Sequence, residues 1–293
     1  MIKLSGKEYK SDWQNFQLAC YYKKSSGWTF SRKKTLLVWL HPFALDSNVW
    51  AYQQPYVPRY VDQLAIDFPG HGQTEGELNK PISGQELTSA IDSVIQKYSF
   101  HKIIFIGNSL GGAVALNLAA KYKEKCDGVL VCSPFHPEAF SYRKFRRSIP
   151  RALRFIRRYP FFSGLFSKIP IRGKAIEFLF KFSPEKSLVA IEREGYREKL
   201  VGYYSKQANR KNFIYLLPAL ANWPGYNQSL AEIDCPVQIF WGEQDQTLPV
   251  ESASIFSHRI KNCAVRILSG IGHTPQLEIP AVISAGVRQL FTH

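Results

Sequence analysis

The chain is poor in features that mark secreted, membrane-spanning or metal-binding proteins. Its five cysteines, Cys20, Cys126, Cys132, Cys235 and Cys263, are odd in number and widely scattered. None stands in a close pair of metal-ligand type, and most lie among apolar neighbours, so buried, reduced thiols are expected. No run approaches the roughly 20 unbroken apolar residues of a membrane-spanning helix. The opening Met1-Ile2-Lys3-Leu4-Ser5-Gly6-Lys7-Glu8 shows no apolar core of a secretory signal. Together these absences give a cytoplasmic location as the expectation. Acidic residues are also few, 23 Asp/Glu against 38 Lys/Arg, for a net charge of +15. The shortage is local. His136 to Lys211 holds 19 Lys/Arg and 6 Asp/Glu, which leaves the rest of the chain almost neutral.

What is present is ample core material: 45% hydrophobic and 14% aromatic residues in 293. That suits one large domain, or a core with an inserted cap. Asn15–Tyr22 reads as an early strand in an antiparallel hairpin, and Thr35–Leu40 and Val61–Asp67 as buried strands. Gly84–Tyr98 has helical spacing, with Leu87, Ile91, Val94 and Ile95 on one stripe. Further strands are expected at 102–106, 128–132, 236–241 and 264–268, and a last helix over Ile279–Phe291. Strands alternating with helices of this length imply a mainly parallel sheet covered on both faces. From about 135 to 228 the pattern is helical instead, broken by Pro150, Pro160, Pro170, Pro184 and Pro218. Core boundaries of 1–134 and 229–293, with a cap over 135–228, follow.

The most telling stretch is Lys102-Ile-Ile-Phe-Ile-Gly107-Asn108-Ser109-Leu110-Gly111-Gly112. A β-branched run enters Gly-Asn-Ser-Leu-Gly and leaves through a small-residue helix, Ala113 to Ala120. A serine on such a turn is strained, and its hydroxyl is pushed clear of the sheet. The helix start supplies backbone N–H groups for an oxyanion. Serine needs a base to take its proton, histidine suits that task, and a buried carboxylate must orient the imidazole. Asp245 follows the strand ending at Trp241, and His273 follows the strand ending at Leu268, each on a loop past a strand end. Glu243 is the alternative acid. Asp234 precedes its strand and reads as a turn residue.

These residues resemble the α/β-hydrolase superfamily from about Leu36 to the C-terminus. The resemblance rests on Leu40-His41-Pro42-Phe43, Asp67-Phe68-Pro69-Gly70-His71-Gly72, Gly107-Asn108-Ser109-Leu110-Gly111-Gly112, Gly242-Glu243-Gln244-Asp245 and Gly272-His273-Thr274-Pro275. It implies a doubly wound, mainly parallel α/β-hydrolase sheet with an inserted helical cap. It also implies Ser109 as nucleophile, His273 as base, Asp245 as orienting acid, and an oxyanion hole from the N–H groups of Phe43 and Leu110. Serine at the elbow argues against the branches that use aspartate there. The family's usual His-Gly is His41-Pro42 here. Proline removes a donor, but Phe43 keeps its own N–H. His41 is expected to prop the oxyanion loop and His71 to be structural. His101, His136, His258 and His293 read as surface or turn residues.

Between Tyr142 and Phe162, a stripe of Tyr142, Phe145, Ile149, Leu153 and Ile156 is surrounded by eight Lys/Arg. In the simpler reading the stripe packs on the core as a lid while the charges face water. In the other, the segment meets an anionic membrane surface, where each basic residue contributes about 1 kcal/mol, or draws in an anionic substrate. No helix-turn-helix, RNA-recognition or zinc pattern occurs, so no nucleic-acid partner is expected. The activity expected is hydrolysis of an apolar or lipid-like carboxylic ester through an acyl-enzyme, with no metal or organic cofactor. Thioesterase, acyltransferase and carbon–carbon hydrolase remain alternatives on the same residues. A catalytically silent ligand-binding protein is the alternative of another class.

Overall fold

The computed structural model describes residues 3–26, 34–141, 155, 159, 195–220 and 222–292. Apolar runs too short for helices pair side by side in one nine-stranded sheet. Its strands are β1 (Lys7–Trp13), β2 (Phe16–Lys23), β3 (Thr35–Leu40), β4 (Asp62–Ile66), β5 (Glu75–Gly76), β6 (Lys102–Asn108), β7 (Cys126–Cys132), β8 (Val237–Gly242) and β9 (Cys263–Leu268). The spatial order is β1-β2-β4-β3-β6-β7-β8-β9, with β5 beside β2. From β4 through β9 every pairing along that order is parallel; β1–β2 and β2–β4 are antiparallel. The expected mainly parallel sheet is therefore present. The hairpin partner of the early strand is the polar edge strand β1.

Helices α1 (Gly84–Ile95) and α2 (Leu110–Lys121) connect the central strands. Leu87, Ile91, Val94 and Ile95, the stripe read from spacing, are all buried. Leu36 to Leu40 on β3 and Ile103 to Ile106 on β6 are buried on both faces, each large side chain contributing about 1.5–3 kcal/mol. Between β7 and β8 the described helices are α3 (Tyr196–Ser205), α4 (Gln207–Leu216) and α5 (Tyr226–Ala231). Asn212, only 1% exposed, fastens α4 to the core: its Nδ2 donates to the Gly76 carbonyl at 2.9 Å and its Oδ1 accepts the Leu78 N–H at 2.7 Å. After β8 come α6 (Ala253–Ser257), α7 (Pro275–Glu278) and α8 (Pro280–Gln289). The single last helix expected over Ile279–Phe291 is thus shorter, and Ile279 separates it from α7. Apart from Phe155 and Tyr159, the basic stretch 142–162 lies outside the described residues. Those two rings are exposed and lie 5.0 Å apart.

Candidate active site

Strand β6 ends at Asn108 and α2 begins at Leu110, so Ser109 alone makes the turn, with φ 53° and ψ −116°. Such a backbone costs on the order of 1–3 kcal/mol for a residue with a side chain. Three hydrogen bonds hold it: the Ser109 N–H donates to the Cys132 carbonyl (3.0 Å), and its carbonyl accepts N–H groups of Ala113 (3.0 Å) and Phe135 (2.9 Å). Gly111 lets the helix start press against the end of β3, where a Cβ would stand 2.3 Å from the Leu40 carbonyl oxygen. Leu110 is the first helical residue, so its N–H has no intrahelical acceptor.

Two strands away, Asp245 lies in the turn after β8 with its side chain fully buried. Its Oδ1 accepts the N–H groups of Thr247 and Leu248, both at 2.8 Å, and its Oδ2 faces His273 Nδ1 at 2.7 Å. A carboxylate only accepts, so Nδ1 carries the proton and Nε2 is left as the basic nitrogen. Gly242 makes this approach possible, since a Cβ there would meet the Gly272 carbonyl oxygen at 2.0 Å. Glu243, the alternative acid, instead accepts from Ser269 Oγ (2.9 Å) and the Gly270 N–H (3.3 Å) on an exposed turn.

A buried amide network joins the serine turn to the histidine loop. Asn108 Nδ2 donates to the carbonyls of Cys132 (2.8 Å) and of His273 itself (3.1 Å). Its Oδ1 accepts from Gln276 Nε2 at 3.0 Å, and Gln53 Nε2 donates to the Gln276 carbonyl at 3.0 Å. All three amide side chains belong to residues with no exposed surface. Glu278 adds a clamp: one carboxylate oxygen accepts the Gly272 N–H (2.8 Å), the other the Thr274 N–H (3.1 Å), so the loop is gripped on both sides of His273. Sequence reasoning missed these residues. The only signal was polar side chains inside otherwise apolar segments.

On the opposite side, His41 and His71 build the loop that carries Phe43. His41 Nδ1 donates to the Pro42 carbonyl (2.7 Å) while Nε2 accepts the Phe68 N–H (2.9 Å). His71 Nδ1 donates to the Pro69 carbonyl (3.1 Å) while Nε2 accepts the Ala44 N–H (3.0 Å). Both imidazoles are therefore neutral. Burial pushes them down, to about 4 for His41 and about 3 for His71, where the neighbouring His41 adds to the effect. The Ala44 N–H is thus consumed and its backbone turns over at φ 70°. The preceding Phe43 N–H has no partner among the described residues. His136 corrects an expectation: it is buried, with Nε2 2.8 Å from Asn227 Oδ1 and Nδ1 accepting the Glu138 N–H.

Sequence comparison adds the family. The alpha/beta hydrolase fold family matches residues 35–280. The chain belongs to that family. Among its relatives, this hydrolase is 28% identical over 256 residues to the monoacylglycerol lipase ABHD6 of Homo sapiens, covering 84% of this chain and 72% of that one. It is 25% identical over 257 residues to the 2-succinyl-6-hydroxy-2,4-cyclohexadiene-1-carboxylate synthase of Enterobacter sp. (strain 638), covering 87% and 90%. A hydrolase structure from Pseudomonas aeruginosa PA01 superimposes with a TM-score of 0.74 at 16% identity, over 99% of this chain and 100% of that one; it supports the fold.

The hydrolase packs its inserted helices against the Phe43 loop. The Phe43 and Phe213 rings lie 4.8 Å apart, and Lys199 Nζ reaches Asp46 Oδ2 at 3.3 Å. Between that loop and α3 lies a cavity of about 470 Å³, lined by Ala44, Asp46, His71, Lys199 and Tyr203 among others. Among the described residues no helix is long and apolar enough to cross a membrane.

Proposed function

We propose that this hydrolase cleaves a lipid-like carboxylic ester, of the monoacylglycerol kind, through an acyl-enzyme on Ser109. The observation that carries the reading is the His273–Asp245 contact at 2.7 Å, on a loop that Asn108 ties to the serine turn. Asp245 fixes the tautomer, so His273 Nε2 takes the Ser109 proton as Oγ attacks the ester carbonyl carbon. The resulting oxyanion is received by the N–H groups of Leu110 and Phe43. His273 then returns the proton to the leaving alcohol. Water, deprotonated by the same nitrogen, attacks the acyl carbon and frees Ser109.

The similarity to monoacylglycerol lipases supports a glycerol ester of a fatty acid as substrate. The exposed Phe155 and Tyr159 sit in a stretch whose sequence is rich in arginine. That combination favours peripheral contact with an anionic lipid surface. Cap residues 135–228 and core residues 1–134 and 229–293 are the proposed division of the chain. The synthase relative supports a second reading, in which the same residues serve a reaction other than ester hydrolysis.

Labelling with a fluorophosphonate and turnover of a monoacylglycerol panel separate these readings. Labelling of the wild type, its loss in Ser109→Ala, and release of fatty acid support the proposal. A folded protein that neither labels nor releases fatty acid refutes it. Sedimentation with anionic vesicles at low and high salt tests the surface contact, which salt should weaken.

A further inference from the structure

Four of the five cysteines are buried, as expected, but two of them meet. Cys126 Sγ and Cys235 Sγ are 3.2 Å apart, although 109 residues separate them in sequence. We propose that Cys126 and Cys235 are a dithiol modification site, oxidised reversibly to a disulfide by small-molecule disulfides. This does not depend on the role of Ser109.

The backbone beneath the sulfurs is already held in place. Cys126 opens β7, and Cys235 precedes Pro236 and β8, its parallel neighbour. The Val129 N–H donates to the Pro236 carbonyl at 2.9 Å, so both chains are pinned within three residues of the thiols. Closing the bond brings the sulfurs together by about 1 Å, within reach of side-chain rotation in two short residues. Access is also available. Cys126 and Cys235 are 8% and 7% exposed, while their chain neighbours Lys125, Asp127, Asp234 and Pro236 are all exposed. The thiols lie one layer beneath the surface at the end of the sheet away from Ser109. No other pair of described cysteines makes a sulfur contact.

The chemistry balances without help from the active site. One thiolate attacks a sulfur of the small disulfide RSSR, expels RS⁻ and forms a mixed disulfide. The second thiol loses its proton and attacks the protein sulfur of that mixed disulfide, expelling the other RS⁻. Two protein thiols and RSSR thus give one protein disulfide and two RSH, with two electrons passing to the small disulfide. Contact with Cys126 holds the Cys235 thiol below its usual value, and the same contact and burial hold Cys126 well above, so Cys235 attacks first. The bond closes a loop that contains the whole segment between β7 and β8. It restrains the unfolded chain and leaves the strand ends around Ser109, Asp245 and His273 untouched.

The test uses the full chain, reduced and then equilibrated with oxidised glutathione under native conditions. Expected are a loss of about 2 Da by intact mass, a linked Cys126–Cys235 peptide, and a fall in titratable thiols in denaturant from five to three. Tm should rise by about 5–10 °C and return on reduction. Cys126→Ala and Cys235→Ala should lack the linked peptide and the Tm rise. Free Cys126 and Cys235 after equilibration, a persistent glutathione adduct on either, or a bond to Cys20, Cys132 or Cys263 would overturn the assignment. If one variant fails to fold, the other variant and the wild-type peptide map decide.

Discussion

Replacing Asn108 by alanine should uncouple Ser109 from His273 without altering either side chain. The substitution removes three buried hydrogen bonds: to the carbonyls of Cys132 and His273 and from Gln276 Nε2. The Cys132 carbonyl keeps the Ser109 N–H at 3.0 Å. The His273 carbonyl and the Gln276 amide are left unpaired, at about 1–3 kcal/mol each. A loss of about 2–6 kcal/mol follows, or about 4–24 °C in Tm at some 2–4 °C per kcal/mol for a chain of this size. Catalysis should fall further than folding alone requires. A displacement of the imidazole by about 1 Å costs on the order of 100-fold in rate, so kcat should drop about 100-fold with KM little changed, measured well below the new Tm. Gln276→Met keeps the Asn108–His273 bond and should cost less than about tenfold. An Asn108→Ala enzyme with a lowered Tm but kcat within about twofold of wild type would show that the network supports only the fold, and the coupling argument would fail.

Asp245→Asn keeps a carbonyl for the Thr247 and Leu248 N–H groups but turns an acceptor away from His273 Nδ1. We expect a folded enzyme with kcat reduced about 10³–10⁴-fold in steady-state hydrolysis. Gly242→Ala drives a methyl group into the Gly272 carbonyl, 2.0 Å away; activity and Tm should both fall, with Gly202→Ala, whose added methyl meets nothing within 4 Å, as the comparison. His41 and His71 are buried neutral, so below about pH 6.5 the unfolded chain takes up protons that the folded chain refuses, and stability is lost as pH falls toward 4 and 3. Asp67, raised to about 7 by burial and the nearby Asp46, acts in the opposite sense. The histidine effect is therefore read by difference: His71→Asn should start less stable, yet lose about 2–3 kcal/mol less than wild type between pH 6.5 and 4.5 in urea melts. Equal losses would contradict it.

The central sheet was legible because its strands are buried on both faces and read as unbroken apolar runs, as at Leu36–Leu40 and Ile103–Ile106. The positions of Ser109 and Asp245 were legible for a related reason, since each follows such a run within a few residues; His273 follows the largely exposed edge strand β9, interrupted by Arg266, and was marked instead by the flanking Gly270 and Gly272. Edge strand β1 left little trace, because a strand with one neighbour and mostly exposed, polar side chains carries no strong apolar alternation. His136 read as a surface residue since nothing local reports that Asn227, 91 residues on, would shelter it. Asn108, Gln276 and Glu278 were opaque in the same way. Their partners are backbone groups or amides chosen by the fold, and the residue type alone does not say which.

Asn212 has a consequence for where the inserted segment ends. Besides its two bonds across β5 and the chain beyond it, the carbonyls of Tyr215 and Asn222 accept the N–H groups of Ile82 and Gly84 at the start of α1. Gly70 has no room for a methyl group against the Asn212 Cβ, 2.5 Å away. Helix α4 is thus keyed into the same loop that seats His71. In a chimera that borrows the lid of another member of the family, the downstream splice belongs inside the proposed cap, ahead of residue 207 rather than at its boundary after 228, so that this helix travels with the sheet.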